Sequence, residues 1–223
     1  MDNTPARPIT IKELIDTAND SWAELSEVLK NSANTYKIIP AEVDAAKETL
    51  YALQVSTRSY LGSVAYRTGG ILFDEGWITL FGAGGAGIYG SLTSWNGLLG
   101  KNDPEFAPLE GMLVVAYDAA GGFFALDTGR YEGTGLIYYF APDSLEWEST
   151  ELAYSGFIAW LADGDLEQFY QTFRWRGWQK QVRQLERGRV LSYYPPLWSE
   201  EGDGGNSSKH PISIKEAWLA AVK

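Results

Sequence analysis

The hydrophobic and polar positions between Gly111 and Trp147 fall into short apolar runs separated by turn residues, a pattern typical of successive β-hairpins. The apolar runs cover residues 112–117, 123–127, 136–140 and 145–148. Glycines break the chain between the first three runs, and Pro142 lies at the second position of a turn, where its fixed φ fits. The pattern predicts an antiparallel meander, on which we expect the rest of the chain to pack.

A second apolar region, residues 70–81, has the same hairpin pattern, with its turn at Asp74-Glu75-Gly76. Outside the strands, the spacing of apolar residues becomes helical. Thr10 and Glu13 have the spacing of a capping box, which predicts a helix from Ile11. Further helices are predicted near residues 22–29, 43–53, 157–161, 166–173, 178–185 and 214–222. The combination predicts the α+β class, an antiparallel β-sheet meander with flanking helices.

The predicted organisation of the chain changes near its C-terminus. Residues 1–199 are predicted to form a single α+β domain, because 223 residues bury one core more readily than two. Residues 200–208 have the composition of a flexible linker, and residues 209–223 are predicted to be a C-terminal helical tail. The tail carries an apolar stripe made of Ile214, Trp218, Leu219 and Val222. We expect this tail to dock on its own domain or on a second copy of the chain.

The net charge of the chain disfavours nucleic acids and membranes as partners. The chain has 18 Lys and Arg residues against 29 Asp and Glu residues, which gives a formal net charge of −11. Phosphate backbones and anionic lipids repel such a chain, so we expect no nucleic-acid partner and no membrane partner. No apolar run approaches the roughly 20 residues that span a bilayer. The N-terminus also lacks the pattern of a secretory leader, so a cytoplasmic location is expected.

The composition also limits the chemistry. The chain has no cysteine, which excludes disulfides, thiolate nucleophiles and zinc–thiolate sites, and His210 is its one histidine. A calcium or magnesium site built from oxygen ligands stays open, although no ordered ligand spacing is present. Gly82, Gly84 and Gly87 match a dinucleotide fingerprint, but further glycines interrupt the segment that should be a helix. We therefore predict no cofactor and no metal site, and we interpret the glycines as a surface loop.

Acidic residues near the ends of the meander strands are candidates for a binding site. Glu146 and Glu148 alternate along a predicted strand, so both point to one face, and the predicted inward positions of Leu145 and Trp147 make that face the solvated one. A cluster of acids at this edge is a plausible docking patch for a basic partner. In the alternative interpretation, Asp118, Asp143 and Glu146 are the carboxylates of a hydrolase.

Trp175 and Trp178 are the aromatic candidates, in the sequence Trp-Arg-Gly-Trp. Two tryptophans at this spacing are typical of a stacking platform for sugars or of a hot spot for a protein partner. The competing interpretation is a corner between two helices in which both rings are partly buried.

Several longer motifs add a resemblance. They are GGILFDEGWITLFGAG, SLTSWN, GMLVVAYDAAGGFFALD, YYFAPDSLEWE, FIAWLADGDLEQFYQTFRWRGW and SYYPPLW. From Ile11 to Trp198 the combination resembles an uncharacterised bacterial family known only as a domain of unknown function. The part from Gly69 to Phe173 is also loosely similar to the SUKH superfamily. That resemblance implies an α+β fold with an antiparallel sheet and flanking helices, and no catalytic residues. Many members of the superfamily are immunity proteins that bind and neutralise a toxin domain.

These observations predict a non-enzymatic protein-binding module and, more specifically, a toxin-neutralising immunity-type protein. The expected partner is a protein, a basic toxin domain in the specific case, and the chain is expected to be a monomer or a homodimer. The alternative is a carboxylate-based hydrolase or a carbohydrate-binding protein with a cleft at the strand ends. The predicted binding residues are Asp118, Asp143, Glu146, Glu148, Trp175 and Trp178.

Overall fold

The computed structural model describes residues 7–100 and 108–222. Seven strands within these ranges form one sheet: β1 (Tyr36–Pro40), β2 (Thr68–Phe73), β3 (Ile78–Phe81), β4 (Met112–Asp118), β5 (Phe123–Asp127), β6 (Leu136–Ala141) and β7 (Glu146–Ala153). Each strand pairs antiparallel with its neighbour in the sequence, so the spatial order is the chain order. The predicted α+β class, with an antiparallel meander and flanking helices, is confirmed.

Short helices surround the sheet. They are α1 (Ile11–Leu14), α2 (Trp22–Lys30), α3 (Val43–Leu53), α4 (Tyr60–Arg67), α5 (Leu92–Trp95), α6 (Tyr154–Asp163), α7 (Leu166–Phe169), α8 (Trp178–Gln184) and α9 (Ile214–Ala221), with 3₁₀ turns at Asp74–Gly76 and Leu98–Gly100. The capping box at α1 is present, since the Thr10 N–H donates to Glu13 Oε2 at 2.9 Å. Within the described ranges, no helix has the length and apolar character needed to cross a membrane.

Among the helices of more than four residues, α4 is the one that the hydrophobic pattern does not predict. All five residues from 61 to 65 are buried, but two of them, Gly62 and Ser63, are not residues that mark the apolar face of a helix in a sequence. Its start is set locally, because the Gly62 N–H donates to Ser59 Oγ at 3.1 Å. Gly62 also lies so close to the Ser56 carbonyl that a Cβ atom would overlap with it. The helix therefore depends on a close approach that only glycine allows.

A row of directly opposed residues crosses all seven strands of the large sheet. The row consists of Lys37, Leu72, Thr79, Tyr117, Phe123, Phe140 and Trp147. Directly opposed residues in adjacent strands project to the same side of a sheet, so the row defines what we call the first face. Phe124, the next residue after Phe123, projects to the opposite side, which we call the second face.

Different helices cover the two faces. On the first face, the ring centroid of Phe123 lies 5.7 Å from that of Trp95 in α5 and 4.9 Å from that of Trp218 in α9. On the second face, Phe124 lies 4.8 Å from Phe157 in α6. Aromatic rings at these distances pack in tilted and edge-to-face pairs. Aromatic side chains therefore fill the space between the sheet and the helices on both faces.

The C-terminal region forms a second, two-stranded antiparallel sheet of β8 (Arg189–Tyr194) and β9 (Ser208–Ser213). Residues 209–213, predicted as part of the helical tail, are extended because each pairs with a residue of β8. In the predicted linker, Ser207 is buried and its Oγ donates to the Pro195 carbonyl at 2.7 Å. Trp218 is 1% exposed, so α9 docks on its own chain. The predicted division into domain, linker and tail stays a prediction.

Candidate functional site

Asp118 is the first of the predicted site residues, and it is fully buried where β4 ends. Its Oδ1 accepts hydrogen bonds from the backbone N–H groups of Ala120 and Gly122, both at 2.9 Å. Its Oδ2 accepts hydrogen bonds from the hydroxyls of Tyr139 at 2.7 Å and Tyr170 at 3.2 Å. The carboxylate therefore joins the β4–β5 turn to β6 and to the segment after α7.

The environment of Asp118 favours a structural role. Burial raises the pKa of its carboxyl, and the hydrogen bonds from Tyr139, Gly122, Ala120 and Tyr170 oppose that shift. A Cβ atom at position 122 would lie 2.5 Å from Asp118 Oδ2, so the glycine allows the close approach of the turn. Because the side chain has no exposed surface, a docked partner does not reach it without opening the core.

Asp143, Glu146 and Glu148 lie in the β6–β7 turn and on the edge strand β7, and all three are exposed. Trp147 projects the other way, and its Nε1 donates to the carbonyl of Ala221 in α9 at 3.1 Å. Glu146 and Glu148 therefore point to the second face, as the alternation predicts. The structure gathers these three residues at one edge and encloses Asp118, so the four carboxylates do not line a shared open cleft.

Trp175 and Trp178 have different environments. Trp178 is 3% exposed, and its ring centroid lies 5.0 Å from that of Trp77 in an edge-to-face pair. Trp175 is half-buried, with Lys209 Nζ 4.7 Å from its ring centroid. Gly177 between them has φ +83° and directs the chain into α8. The two rings consequently do not form one exposed platform, and the corner interpretation describes this segment better.

Arg174 is a buried residue that sequence reasoning missed. Its guanidinium carbon lies 4.1 Å from the ring centroid of Trp178 and 4.7 Å from that of Trp77. The guanidinium forms an ion pair with Asp74 and a second one with Glu167 at 3.1 Å. Asp74 precedes it by 100 residues, so no local spacing reveals the pair. Arg174 fixes the β2–β3 turn to the segment after α7.

The glycine-rich segment from Gly82 to Gly90 forms a loop that leads into α5. A dinucleotide site requires a helix after the glycines whose N-terminus faces the pyrophosphate. Helix α5 has only four residues, and its N-terminal Ser91 Oγ accepts a hydrogen bond from the Ser94 N–H. His210 lies on β9, where it is exposed. The described residues contain no group of three or more His, Cys, Asp or Glu side chains arranged to hold a metal ion.

An apolar groove lies between the β4–β5 turn, the β6–β7 turn, the small sheet and α9. We call it the Leu145–Trp198 groove, after two exposed side chains that line it. Trp198 is 58% exposed and Leu145 is 43% exposed, while Phe140, Ile212 and Ala217 form part of the interior. The groove encloses about 130 Å³, and none of its lining residues is charged. Large apolar side chains that are exposed to solvent around a cavity are typical of a protein-binding surface.

Acidic residues flank the two exposed groove residues, Leu145 and Trp198, in the sequence. Asp143 and Glu146 lie close to Leu145 in the sequence, and Glu200 and Glu201 follow Trp198; all four are exposed. None of the four forms an ion pair with another residue of the described ranges. Exposed charges act over about 8 Å at physiological salt, so the surface around these residues has a negative potential. Glu146 and Glu148 point to the second face, whereas the groove contains Phe140 of the first face, so the predicted acidic patch approaches the groove only at the β6–β7 turn.

Residues 11–217 match the family described as "Protein of unknown function DUF2625". The chain belongs to this family. It is 36% identical over 209 residues, 93% of each chain, to "Putative uncharacterized protein YbfG" of Escherichia coli (strain K12). It is 34% identical over 189 residues, 84% of this chain and 82% of the relative, to an "Uncharacterized protein" of Haemophilus influenzae (strain ATCC 51907 / DSM 11121 / KW20 / Rd). The resemblance to an uncharacterised bacterial domain family is confirmed.

The DUF2625 match covers all but one of the residues that line the groove. It extends from the start of α1 to Ala217 in α9, and so includes both Leu145 and Trp198. Of the residues that line the groove, Ala220 alone lies outside the family match.

Proposed function

We propose that this protein is a non-enzymatic protein-binding module whose partner docks on the Leu145–Trp198 groove. The observation that carries the proposal is the exposure of Trp198 and Leu145 around a cavity with an uncharged lining. Protein interfaces concentrate their binding energy in a few central aromatic and apolar side chains. Covering these two side chains at about 25 cal/mol per Å² contributes a few kcal/mol to binding.

The charge around the groove supports a basic partner. Asp143, Glu146, Glu200 and Glu201 are exposed and lie within three residues of Leu145 or Trp198 in the sequence, and the whole chain has a formal net charge of −11. Opposite potentials accelerate association and exclude partners of the same sign. A basic toxin domain meets this requirement. The immunity-type version of the proposal depends on that match of charge and on the resemblance to the SUKH superfamily.

The same charges disfavour a second copy of the chain as the occupant. In a two-fold symmetric dimer, the same patch meets itself, so the acidic residues near Leu145 and Trp198 in one copy would face those in the other. Like charges in contact across an interface cost several kcal/mol. We therefore propose a monomer that binds a different, basic protein.

The alternative hydrolase receives no support from the carboxylates. A retaining or inverting glycosidase needs two carboxyl groups facing one substrate. Asp118 is enclosed by two backbone N–H groups and two tyrosine hydroxyls, whereas Asp143 and Glu146 are exposed at the sheet edge. The geometry thus offers a docking surface in preference to a pair of catalytic carboxylates.

The test compares wild type, Trp198→Ala and Val43→Ala as immobilised baits for extracts of a bacterium that encodes a DUF2625 protein. Val43 lies in α3 and is 66% exposed, so its substitution also removes an exposed apolar side chain. We expect a basic protein that wild type and Val43→Ala retain equally and that Trp198→Ala retains about tenfold less. Its retention should fall as salt is raised.

Three results would contradict the proposal. They are equal retention by Trp198→Ala, retention of an acidic protein only, and a wild-type dimer that Trp198→Ala converts to a monomer in sedimentation analysis. The immunity-type version has its own test, in which the protein is co-expressed with a toxin-like gene adjacent to its own. Protection by wild type that Trp198→Ala lacks supports that version, and no protection eliminates it.

A further inference from the structure

A separate cleft opens on the first face of the large sheet, at the end that α9 does not cover. Its floor consists of Leu72, Thr79 and Tyr117, three consecutive members of the row across the strands. Thr79 and Tyr117 are 5% and 8% exposed, so their side chains are accessible only from the cleft side. The cleft encloses about 410 Å³, within the range of small-molecule sites.

The walls of the cleft come from two distant parts of the chain. Ile88 and Tyr89, from the glycine-rich loop, form one wall, and residues at the end of α8 form the other. Gly188 has φ +72°, and a Cβ atom there would lie 2.9 Å from Cδ2 of Tyr89. The backbone at Gly188 therefore lies directly against the tyrosine ring. This contact holds Tyr89 in place as an aromatic wall.

The rim of the cleft is basic, in a chain whose net charge is strongly negative. Arg183 is neutralised by Glu75, with 2.7 Å between Nε and Oε2. Lys37, Arg187 and Arg189 also line the cleft, and none of them forms an ion pair with another residue that the structure describes. Glu186 is the other acidic residue of the rim.

The rim has four positive side chains and two negative ones, Glu75 and Glu186, so its net charge is two positive. Solubility does not require such a surplus, because the rest of the surface is acidic. A phosphate monoester has a charge of about −1.5 to −2 at pH 7, which matches it. Arginine binds phosphate oxygens through two parallel N–H donors, and Arg187 and Arg189 flank the glycine that packs on Tyr89.

We propose that this cleft binds a small organic phosphate monoester. The phosphate lies at the rim with Lys37, Arg187 and Arg189, and the organic body lies against Tyr89 and the floor of the cleft. This site is separate from the Leu145–Trp198 groove, since the two share no lining residue, and the inference does not depend on the proposed protein partner.

The test uses phenyl phosphate, which combines a dianion with a flat apolar ring. Isothermal titration calorimetry at low salt should show one site with a Kd on the order of 1 mM, as expected for a ligand of this size. Inorganic phosphate lacks the ring and should bind about tenfold more weakly, and benzyl alcohol, which lacks the charge, should not bind at about 10 mM. Phenylacetate, a monoanion, should bind more weakly than phenyl phosphate.

Charge-reversal variants locate the site. Arg187→Glu and Arg189→Glu should each weaken phenyl phosphate binding by about tenfold or more. Arg176→Glu is the matched control, because Arg176 is exposed outside the cleft and its substitution changes the net charge equally. It should leave the affinity within about twofold of wild type. All three substituted positions are exposed, and equal melting temperatures would show that each variant is folded.

Four outcomes would overturn the inference. They are no heat of binding for phenyl phosphate at about 10 mM, unchanged affinity in both Arg187→Glu and Arg189→Glu, an equal loss in Arg176→Glu, and phenylacetate binding as tightly as phenyl phosphate. A loss of partner binding in Trp198→Ala with phenyl phosphate affinity unchanged is the expected pattern, because the groove and the cleft are separate.

Discussion

One row of directly opposed residues crosses the first face of the large sheet, but helices cover only one half of that face. In the half formed by β4 to β7, Phe123 packs against Trp218 and Trp95, and Trp147 donates to the carbonyl of Ala221. In the half formed by β1 to β3, Leu72 and Thr79, together with Tyr117 of the adjoining β4, face an open cleft of about 410 Å³. We call these the closed half and the open half. The register of the strands is shared, so the difference lies in what covers them.

The closed half contributes to the stability of the fold, and the open half offers a binding surface. The closed half is sealed by aromatic side chains from α5 and α9, and the interactions there hold the C-terminal segment on the sheet. The open half is bordered by Lys37, Arg187 and Arg189, which have no carboxylate partner within the described ranges. Substitutions in the closed half should therefore lower the free energy of unfolding, and substitutions at the rim of the open half should alter binding.

The largest effect is expected from Trp218→Ala, which removes the cover of the closed half. Trp218 is 1% exposed and packs edge-to-face against Phe123 and Trp95, so the variant should lose about 3–5 kcal/mol in free energy of unfolding. Denaturant titration measures this loss. The control is Leu219→Ala in the same helix, which is 56% exposed and should change stability by less than about 0.5 kcal/mol. Equal stabilities for the two variants would show that α9 does not close this half.

The next effect concerns Asp118, at the end of β4, the strand of the closed half that adjoins the open half. Asp118→Ala leaves two backbone N–H groups and two tyrosine hydroxyls without their buried acceptor, so we expect a loss of about 2–4 kcal/mol. Asp118→Asn keeps one acceptor oxygen and should lose less.

Asp118 also predicts a pH dependence. Because burial raises the pKa of its carboxyl in the folded state, wild type binds this proton more tightly when folded than when unfolded. The advantage of wild type over Asp118→Asn should therefore be largest at low pH and decrease as the pH rises from 3.8 through the raised pKa. An advantage that grows over this range would contradict the prediction.

Gly188→Ala tests the contact between Gly188 and Tyr89, which forms the wall of the cleft in the open half. The positive φ and the contact with Tyr89 both oppose a side chain, so the variant should lose about 1–2 kcal/mol and displace the ring. Gly177→Ala is a matched control, because Gly177 has φ +83° with no neighbour within 4 Å of an added Cβ. A greater loss in thermal stability for Gly188→Ala than for Gly177→Ala reports the contact with Tyr89. Equal losses would mean that only the backbone conformation matters.

The smallest effect is expected at Asp127, where β5 ends in the closed half. Burial opposes ionisation of its carboxyl, but hydrogen bonds from the N–H groups of Tyr131, Thr134 and Gly129 lower its pKa to about 2. The lowered pKa stabilises the fold above pH 3.8, and this contribution is lost as the pH falls toward 2. The melting temperature of Asp127→Asn should therefore lie below that of wild type near neutral pH and approach it under acid conditions. A constant difference would contradict the assignment.

Much of the fold was predictable because its signals are local. The turn at Pro142, the glycines after Asp118 and the capping box of Thr10 and Glu13 each lie within a few residues of the element that they end or begin. Helix α4 was not predicted, although Ser59 caps its start, because Gly62 and Ser63 interrupt its apolar positions. The candidate site was less predictable. The alternation of β7 correctly predicted that Glu146 and Glu148 are exposed, but the inward position predicted for Leu145 is wrong, because Leu145 lies in the turn before β7 and is 43% exposed. Asp118 has the same charge as the two glutamates and no local mark of its burial.

The sequence by itself determined the antiparallel meander, most of the helices and the acidic character of the chain, because periodicity and charge are properties of neighbouring residues. Only the tertiary structure decided which groups meet. Arg174 pairs with Asp74 across 100 residues, and Gly188 packs on Tyr89 to form the wall of the cleft. Such contacts depend on how the helices and loops fold back over the sheet. Their free energy is shared between distant segments, so no pattern within one segment encodes them.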